Sequence, residues 1–209
     1  MSKTLAIKPD PKITNDPLRE MEEAGQPPII LDKDREEMPP AMMNAFKSAA
    51  IQCNQGKNPT PKEAVLLIGL QASGKSTFYR QILASNHVHI NLDTLHTRNK
   101  ERLLLGHCLQ NGYSFAVDNT NPSIAERAKY IVPAKKYGYE IKGYFFQSVI
   151  ADCVKRNRAR EGKARVPDKA IACTSNRLEL PSYEEGFDRL YYVRLEQDRF
   201  LIEEWRETK

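Results

Sequence analysis

The sequence predicts an α/β fold in three layers, with a mostly parallel sheet covered by helices on both faces. Two observations predict it. From residue 62 onward, short apolar runs alternate with stretches of helical periodicity, as in strands joined by crossover helices. The first apolar run, residues 64–68, leads directly into Gly69-Leu70-Gln71-Ala72-Ser73-Gly74-Lys75-Ser76-Thr77, which matches G-x-x-x-x-G-K-[ST] at every fixed position. A strand followed by this loop and a helix is typical of a P-loop NTPase.

The loop predicts a binding site for ATP and Mg²⁺. Its glycines let backbone N–H groups turn toward phosphate oxygens, and the helix beginning at Lys75 adds the positive end of its dipole. Lys75 supplies a charge to the β- and γ-phosphates during transfer, and the Ser76 hydroxyl is suited to bind Mg²⁺. The alternative is a loop that matches by chance. The residues expected to bind ATP are Gly69, Gln71, Ala72, Ser73, Gly74, Lys75, Ser76 and Thr77.

The remaining elements follow in order along the chain. Strands are expected at 88–91, 114–117 and 140–146, with a last strand at 190–193. Helices are expected from the P-loop to about residue 85, and then at 96–110, 122–137, 149–160 and 167–178. Pro133 would kink the helix in which it lies. Catalytic groups should cluster where the carboxyl ends of the strands meet the amino ends of the helices.

Two carboxylates, Asp93 and Asp118, follow predicted strands at this edge of the sheet. Asp93 is suited to accept a proton from an attacking hydroxyl, although aspartate is also a common helix N-cap. Asp118 follows a buried strand, where it would reach Mg²⁺ directly or through water. The alternative for Asp118 is a turn residue, because Asp-Asn-Thr-Asn-Pro is strongly turn-forming.

A basic segment at residues 155–165 predicts an Arg-rich lid. Six of its eleven residues are Lys or Arg, and Gly162 offers a hinge. Arg156 and Arg160 are four residues apart, so on a helix they share a face from which guanidinium groups can bind ATP phosphates. The alternatives are a solvated basic face or a contact with nucleic-acid phosphates.

Two regions differ in composition. Residues 1–61 hold nine of the 13 prolines and are expected to form a largely extended arm, with a possible short helix at 41–53 that either docks on the domain or binds a partner. Residues 62–209 are expected to form the catalytic domain. They carry 24 Lys and Arg against 18 Asp and Glu, a net charge of +6 that suits a polyanionic acceptor.

Other features restrict the setting. The four cysteines are scattered, which predicts neither a disulfide framework nor a structural metal site. No leader-like segment and no apolar run of ~18 residues occurs, so we expect a cytoplasmic protein without membrane contact. His87 and His89 alternate on a predicted strand, and we interpret both as structural. The sequence identifies no protein partner.

The order of these motifs resembles the kinase domain of polynucleotide 5′-hydroxyl kinases. The resemblance covers about residues 64–194 and rests on the P-loop, Asn91-Leu92-Asp93-Thr94-Leu95, Val117-Asp118-Asn119-Thr120-Asn121-Pro122, Arg156 to Arg160, Val166-Pro167 and the segment 180–187. It implies ATP-dependent phosphoryl transfer to the 5′-hydroxyl of DNA or RNA. It further implies that Asp93 is the general base, that Asp118, Asn119 and Thr120 support the acceptor side, and that Arg160, or else Arg156, is the lid arginine.

Two positions depart from the family pattern. Leu92 and His96 stand where members often carry arginines, and Arg98 and Lys100 are candidates to replace them in binding the substrate. No D-x-D-G-T phosphatase signature occurs, which predicts a kinase-only form. Two other functions stay open at this point. One is a small-molecule or nucleotide-sugar kinase of the zeta-toxin kind, and the other is an ATP-gated binding protein that signals through the arm.

Overall fold

A computed structural model describes residues 61–197 and 199–206 of the chain. The predicted arm, apart from Pro61, and its helix at 41–53 lie outside the described residues. The strands of the described part are β1 (Glu63–Ile68), β2 (Val88–Ile90), β3 (Phe115–Val117), β4 (Glu140–Phe146), β5 (Arg189–Glu196) and β6 (Arg199–Glu204). They form one sheet in the order β2-β3-β1-β4-β5-β6, in which β6 alone is antiparallel to its neighbour.

Helices connect the parallel strands. They are α1 (Lys75–Phe78), which continues as a π-helical turn over Tyr79–Leu83, α2 (Leu92–Leu95), α3 (Arg98–Asn111), α4 (Ile124–Lys136), α5 (Ile150–Arg158) and α6 (Asp168–Asn176). Short 3₁₀ turns lie at Gly162–Ala164 and Tyr183–Glu185. None of the helices in the described ranges is long and apolar enough to cross a membrane.

The central strand β1 shows why helices cover both faces. Ala64, Leu66 and Ile68 pack in one apolar cluster with residues of α3 and α4, while Val65 and Leu67 pack in another with residues of α1 and its π-helical turn. All five side chains are fully buried. Burial of a large apolar side chain contributes about 1.5–3 kcal/mol, so this alternation stabilises both layers at once. The three-layer α/β prediction is confirmed.

The prediction that the last strand lies at 190–193 is wrong. That strand runs over Arg189–Glu196, and β6 follows it as the antiparallel edge of the sheet. The sequence of β6, Arg-Phe-Leu-Ile-Glu-Glu, lacks strict alternation, and five of its six residues are exposed. An edge strand with little burial leaves a weak signal in the apolar pattern.

The helix expected at 96–110 is divided into α2 and α3. Two side-chain caps and one left-handed residue set the bounds of these helices. The Asn91 side chain caps α2 by accepting from the Thr94 N–H, and the Thr97 side chain caps α3 by accepting from the Lys100 N–H. Between them His96 adopts a left-handed conformation at φ +66°, which ends α2. By contrast, α4 continues through Pro133 to Lys136.

Candidate active site

A cavity of about 1090 Å³ opens where β1, β2 and β3 end. Its walls come from the segments that follow these three strands and from the segment after α5. It brings together most of the predicted site residues: Gln71, Ala72, Gly74, Lys75, Ser76, Thr77, Asp93, Arg98, Asp118, Asn119, Thr120 and Arg160. The predicted residues outside its walls are Gly69, Ser73, Lys100 and Arg156.

The P-loop backbone takes conformations that few residues tolerate. Gly69 and Gly74 have φ values of +146° and +107°. A Cβ atom at Gly69 would lie 3.0 Å from the Ser148 Oγ, and one at Gly74 would lie 3.3 Å from a ring carbon of Phe200, so close packing also requires glycine there. Ala72 has φ +60°, a left-handed conformation that costs an L-residue about 1–2 kcal/mol. The loop therefore stores backbone strain at the cavity wall.

Lys75 is buried beneath the loop. Its Nζ donates hydrogen bonds to the carbonyl oxygens of Gly69, at 2.9 Å, and Leu70, at 2.6 Å. The pKa of Lys75 is lowered from 10.5 to about 8, chiefly by burial and to a smaller extent by the charge of Arg160, while the carboxylates of Asp118 and Asp93 oppose the shift. The charge of the ammonium group therefore interacts with the other charged groups of the cavity. A phosphate at this position would compensate the buried charge.

Asp93 lies in the first turn of α2 and lines the cavity. The sequence left open whether it is a base or a helix N-cap. The N-cap is Asn91, whose Oδ1 accepts from the Thr94 N–H at 3.1 Å. Capping therefore does not occupy Asp93. Its carboxylate is exposed at the same wall as the P-loop, in a position open to a hydroxyl acceptor.

Asp118 is a buried carboxylate with one free oxygen. Its side chain is 1% exposed, and its Oδ2 lies 3.0 Å from the His89 Nε2. Its Oδ1 has no hydrogen-bond partner within the part of the chain that the structure describes. An acceptor oxygen that is buried at a cavity wall without a donor fits a cation ligand, and the Ser76 hydroxyl lines the same cavity. These two oxygens suit Mg²⁺, which is usually bound by one or two carboxylates together with substrate phosphates.

The turn after β3 is bonded to the P-loop. The Gly69 N–H donates to the Thr120 carbonyl at 3.0 Å. The Asn121 Nδ2 donates to the Leu67 carbonyl of β1 at 2.8 Å, and Asn121 itself has φ +45°. The four residues Asp118 to Asn121 therefore belong to this connecting segment and line the cavity at once. The two readings of Asp118 are compatible.

Asn119 connects this turn to the segment that carries Asp93. Its Oδ1 accepts from the Leu92 N–H at 3.0 Å, and its Nδ2 donates to the Glu101 Oε1 at 2.6 Å. Glu101 is buried in α3 and also accepts from the Tyr130 hydroxyl at 2.9 Å and from the Arg98 Nη1 at 2.8 Å. Arg98 is thus paired with Glu101 and lines the cavity. Lys100, in the same turn of α3, does not line the cavity.

Arg127 fixes the other end of the turn. It is fully buried and forms a two-bond ion pair with Glu185, at 2.6 and 2.8 Å. Its Nη1 also donates to the carbonyl oxygens of Asn121, Pro122 and Glu179, at 3.1 to 3.2 Å. All three nitrogens of one guanidinium group therefore donate to the turn or to the segment after α6. This arrangement fixes the turn rigidly beneath the cavity.

The two predicted lid arginines separate. The Arg156 Nε donates to the Ala72 carbonyl at 2.8 Å, so Arg156 supports the strained part of the P-loop from outside the cavity. Arg160 lies beyond the end of α5 and lines the cavity, where its charge acts on Lys75. Asn157 holds the loop that follows α5. Its Nδ2 donates to the Val166 carbonyl at 2.7 Å, and its Oδ1 accepts from the Val166 N–H at 3.1 Å.

The sequence model described as an AAA domain matches residues 65–181, more than half of the chain. The chain belongs to the AAA domain family. The match spans the P-loop, both carboxylates and both lid arginines, so all the groups placed at the cavity lie inside this AAA domain.

Two curated relatives are similar to this AAA domain. One, from Acanthamoeba polyphaga mimivirus, is named provisionally as a bifunctional polynucleotide phosphatase/kinase and is 30% identical over 159 residues, covering 72% of this chain. The other is the bifunctional polynucleotide phosphatase/kinase of Schizosaccharomyces pombe, 29% identical over 142 residues, covering 66% of this chain. The chain spans 38% and 35% of the length of these two relatives.

Solved structures share the fold. A chain of the AvrRxo1-ORF1:ORF2 complex has a TM-score of 0.58 at 12% identity and covers 91% of this chain and 72% of its own length. Chaetomium thermophilum Kti12 in complex with ADP-AlF₃ has a TM-score of 0.52 at 17% identity, over 65% of this chain and 90% of its own. The AAA domain therefore has the α/β fold of P-loop NTPases.

Some residues of the site were not found from the sequence. Arg127 and Glu101 are charged residues on helices whose roles depend on partners far along the chain, and no local pattern marks them. Arg80 and Lys129 line the cavity as further cations. His89 was interpreted as structural, yet it contacts Asp118. The sequence does contain a signal for His89, because His89 lies on β2, the strand that ends at the cavity just before Asn91 and Asp93.

Proposed function

We propose that this AAA domain is an ATP-dependent kinase that transfers the γ-phosphate to the 5′-hydroxyl of a polynucleotide. One observation carries the proposal. The Asp93 carboxylate, which is not used as a helix cap, lies on the same cavity as Lys75 of the P-loop. A carboxylate there can take the proton of an attacking hydroxyl group, whether that group belongs to water or to an acceptor alcohol. The cations Arg80, Arg98 and Lys129, which line the same cavity, favour an acceptor that carries phosphates.

Each residue has a role in this reaction. The acceptor oxygen attacks the γ-phosphorus, the bond from that phosphorus to the ADP oxygen breaks, and Asp93 takes the hydroxyl proton. Lys75 and Arg160 stabilise the charge that moves onto the leaving ADP. Mg²⁺, held by Ser76 and Asp118, would supply further charge neutralisation on the phosphates. Gln71, Ala72, Ser73, Gly74 and Thr77 form the loop around those phosphates, with Gly69 supporting it.

The acceptor side is cationic. Arg98 is fixed at the wall by Glu101, and Arg80 and Lys129 line the same cavity. Guanidinium and ammonium groups beside a general base suit an acceptor that carries phosphates of its own. The names of the two curated relatives point to polynucleotides as the class. Asn119 and Thr120 would support this side through the turn they share.

A small-molecule acceptor is the second candidate, and a specific observation favours it. Leu92 and His96 both line the cavity, at positions where the polynucleotide kinases that this chain resembles often carry arginines. A wall with fewer cations binds a polyanion less strongly. The charge lost at these two positions would have to be supplied by Arg98 and its neighbours if the acceptor is a nucleic acid.

Transfer of label from γ-labelled ATP separates these candidates. The full chain is offered 5′-hydroxyl DNA and RNA oligonucleotides, with the same oligonucleotides carrying a 5′-phosphate as controls. We expect label on the 5′-hydroxyl oligonucleotides only, no label with Lys75→Ala, and a steep loss of oligonucleotide affinity with rising salt. ATP turnover without labelled oligonucleotide would contradict the polynucleotide proposal and direct the search to small acceptors. Binding of ATP without any turnover would favour an ATP-gated binding protein.

A further inference from the structure

The ring of His89 lies next to Asp118, which lines the cavity. It is the middle residue of β2, opposite Ala116 of β3, and its side chain is on the face covered by the P-loop helix. Its neighbours Val88 and Ile90 are buried in the cluster on the other face. The ring is 30% exposed, so it is reached by solvent but is held on two sides by protein.

Two contacts fix the orientation of the ring. It stacks on Tyr79, with ring centroids 3.9 Å apart and an angle of 10° between the planes. Tyr79 is itself fixed, because its hydroxyl donates to the His87 carbonyl at 2.9 Å. The second contact is the 3.0 Å approach of Nε2 to the Asp118 Oδ2. An ionised carboxylate only accepts, so a hydrogen bond to it requires the form of the ring that carries a hydrogen on Nε2.

The two oxygens of the Asp118 carboxylate differ in their partners. Oδ2 is occupied by His89, and Oδ1 is buried without a partner among the described residues. A carboxylate held by one oxygen cannot turn freely, so the other oxygen keeps one direction. In metal sites, partners of this kind that bond to a ligand set its orientation, and their loss typically costs about 10–100-fold in metal affinity or activity.

We infer that His89 is a positioning residue that orients the Asp118 carboxylate so that Oδ1 is presented to the Mg²⁺ of the bound nucleotide. This inference rests on the proposed function for the identity of the metal and the nucleotide. It goes beyond it by assigning a role to a residue outside the P-loop and outside the acceptor wall. His89 itself touches neither the nucleotide nor the acceptor in this role.

The test measures binding instead of phosphoryl transfer, so its result does not depend on the acceptor. Affinity for the nonhydrolysable analogue AMP-PNP is measured by calorimetry with Mg²⁺ and again in EDTA. His89→Phe keeps a ring on Tyr79 and removes the donor. We expect this variant to lose about 10–100-fold in affinity with Mg²⁺ and less than twofold in EDTA. His89→Gln, which keeps an N–H donor, should recover most of the loss.

Two further variants make the outcome decisive. In an Asp118→Ala background, His89→Phe should cause no further loss, because the two residues act as one unit. His107→Phe is the matched control, since His107 also packs beside a tyrosine, Tyr113, but at the far end of α3. If melting curves show that His89→Phe is unfolded, His89→Ala takes its place with the same expectation.

Two results of these binding measurements would contradict the role of His89. Equal losses in Mg²⁺ and in EDTA would show that His89 only supports the shape of the P-loop, and would overturn the inference. Unchanged affinity in both conditions would overturn it as well. A failure of oligonucleotide labelling, with the Mg²⁺-specific loss intact, would count against the proposed acceptor and leave the role of His89 in place.

Discussion

The buried ion pair of Arg127 and Glu185 makes a quantitative prediction about stability. Both side chains are almost completely withdrawn from solvent, with exposures of 0% and 4%. Arg127→Met would leave the Glu185 carboxylate buried without its cation and would remove the donor from three carbonyl groups. Breaking a buried pair by removing one partner costs about 3–5 kcal/mol. A loss of this size lowers the melting temperature of a domain of this length by roughly 6–20 °C.

The assay is urea unfolding of the single and double variants. Arg127→Met and Glu185→Met should each lose about 3–5 kcal/mol, and the double variant should lose far less than the sum, because it leaves no charge unpaired. Arg177→Met is the matched control. Arg177, at the end of α6, pairs with Glu126 of α4 at 2.6 Å, but its side chain is exposed, so its loss should cost about 0–1 kcal/mol. A cost for Arg127→Met no larger than for this control, or strictly additive costs, would refute the reasoning.

Three more predictions concern the P-loop. Since the pKa of Lys75 is about 8 and ATP binds its charged form, the ATP Kd measured by calorimetry should rise about tenfold from pH 7 to pH 9, whereas Lys75→Arg should show no such trend. The same lowered pKa means that the unfolded chain holds this proton longer, so the contribution of Lys75 to stability should increase between about pH 8 and pH 10.5. A wild-type ATP Kd that does not change with pH would contradict the lowered pKa of Lys75. Ala72→Gly should relieve the left-handed strain and stabilise the fold by about 1 kcal/mol in thermal melts, whereas Ala125→Gly, in the exposed part of α4, should destabilise it by about 1 kcal/mol.

Local patterns were sufficient to predict the centre of the fold. The strand at β1, the loop and the helix are adjacent in sequence, so their apolar run and glycines predict their structure directly. The convergence of Asp93 and Asp118 on one cavity also follows from the sequence, because parallel strands end at the same edge of the sheet. The positions of these residues depend on the direction of the strands, which short apolar patterns predict well.

The contacts that complete the site depend on pairings between distant residues. Arg127 and Glu185 are 58 positions apart, and His89 and Asp118 are 29 apart. The lid shows a different limit. Spacing predicted that Arg156 and Arg160 share a helix face, but α5 ends at Arg158, so the two side chains go to different places. Helix ends are set by capping and packing, which the spacing of charges does not report.

The Asp93 carboxylate is the centre of this account, and its replacement tests the account most directly. The measurement is the rate of label transfer to a 5′-hydroxyl oligonucleotide by Asp93→Asn, together with its ATP affinity. We predict that kcat falls by roughly 10²–10⁴-fold while the ATP Kd stays within about twofold of the wild-type value, as expected for loss of a general base. A variant that transfers label at the wild-type rate would contradict the account and leave Asp93 without a role in the reaction.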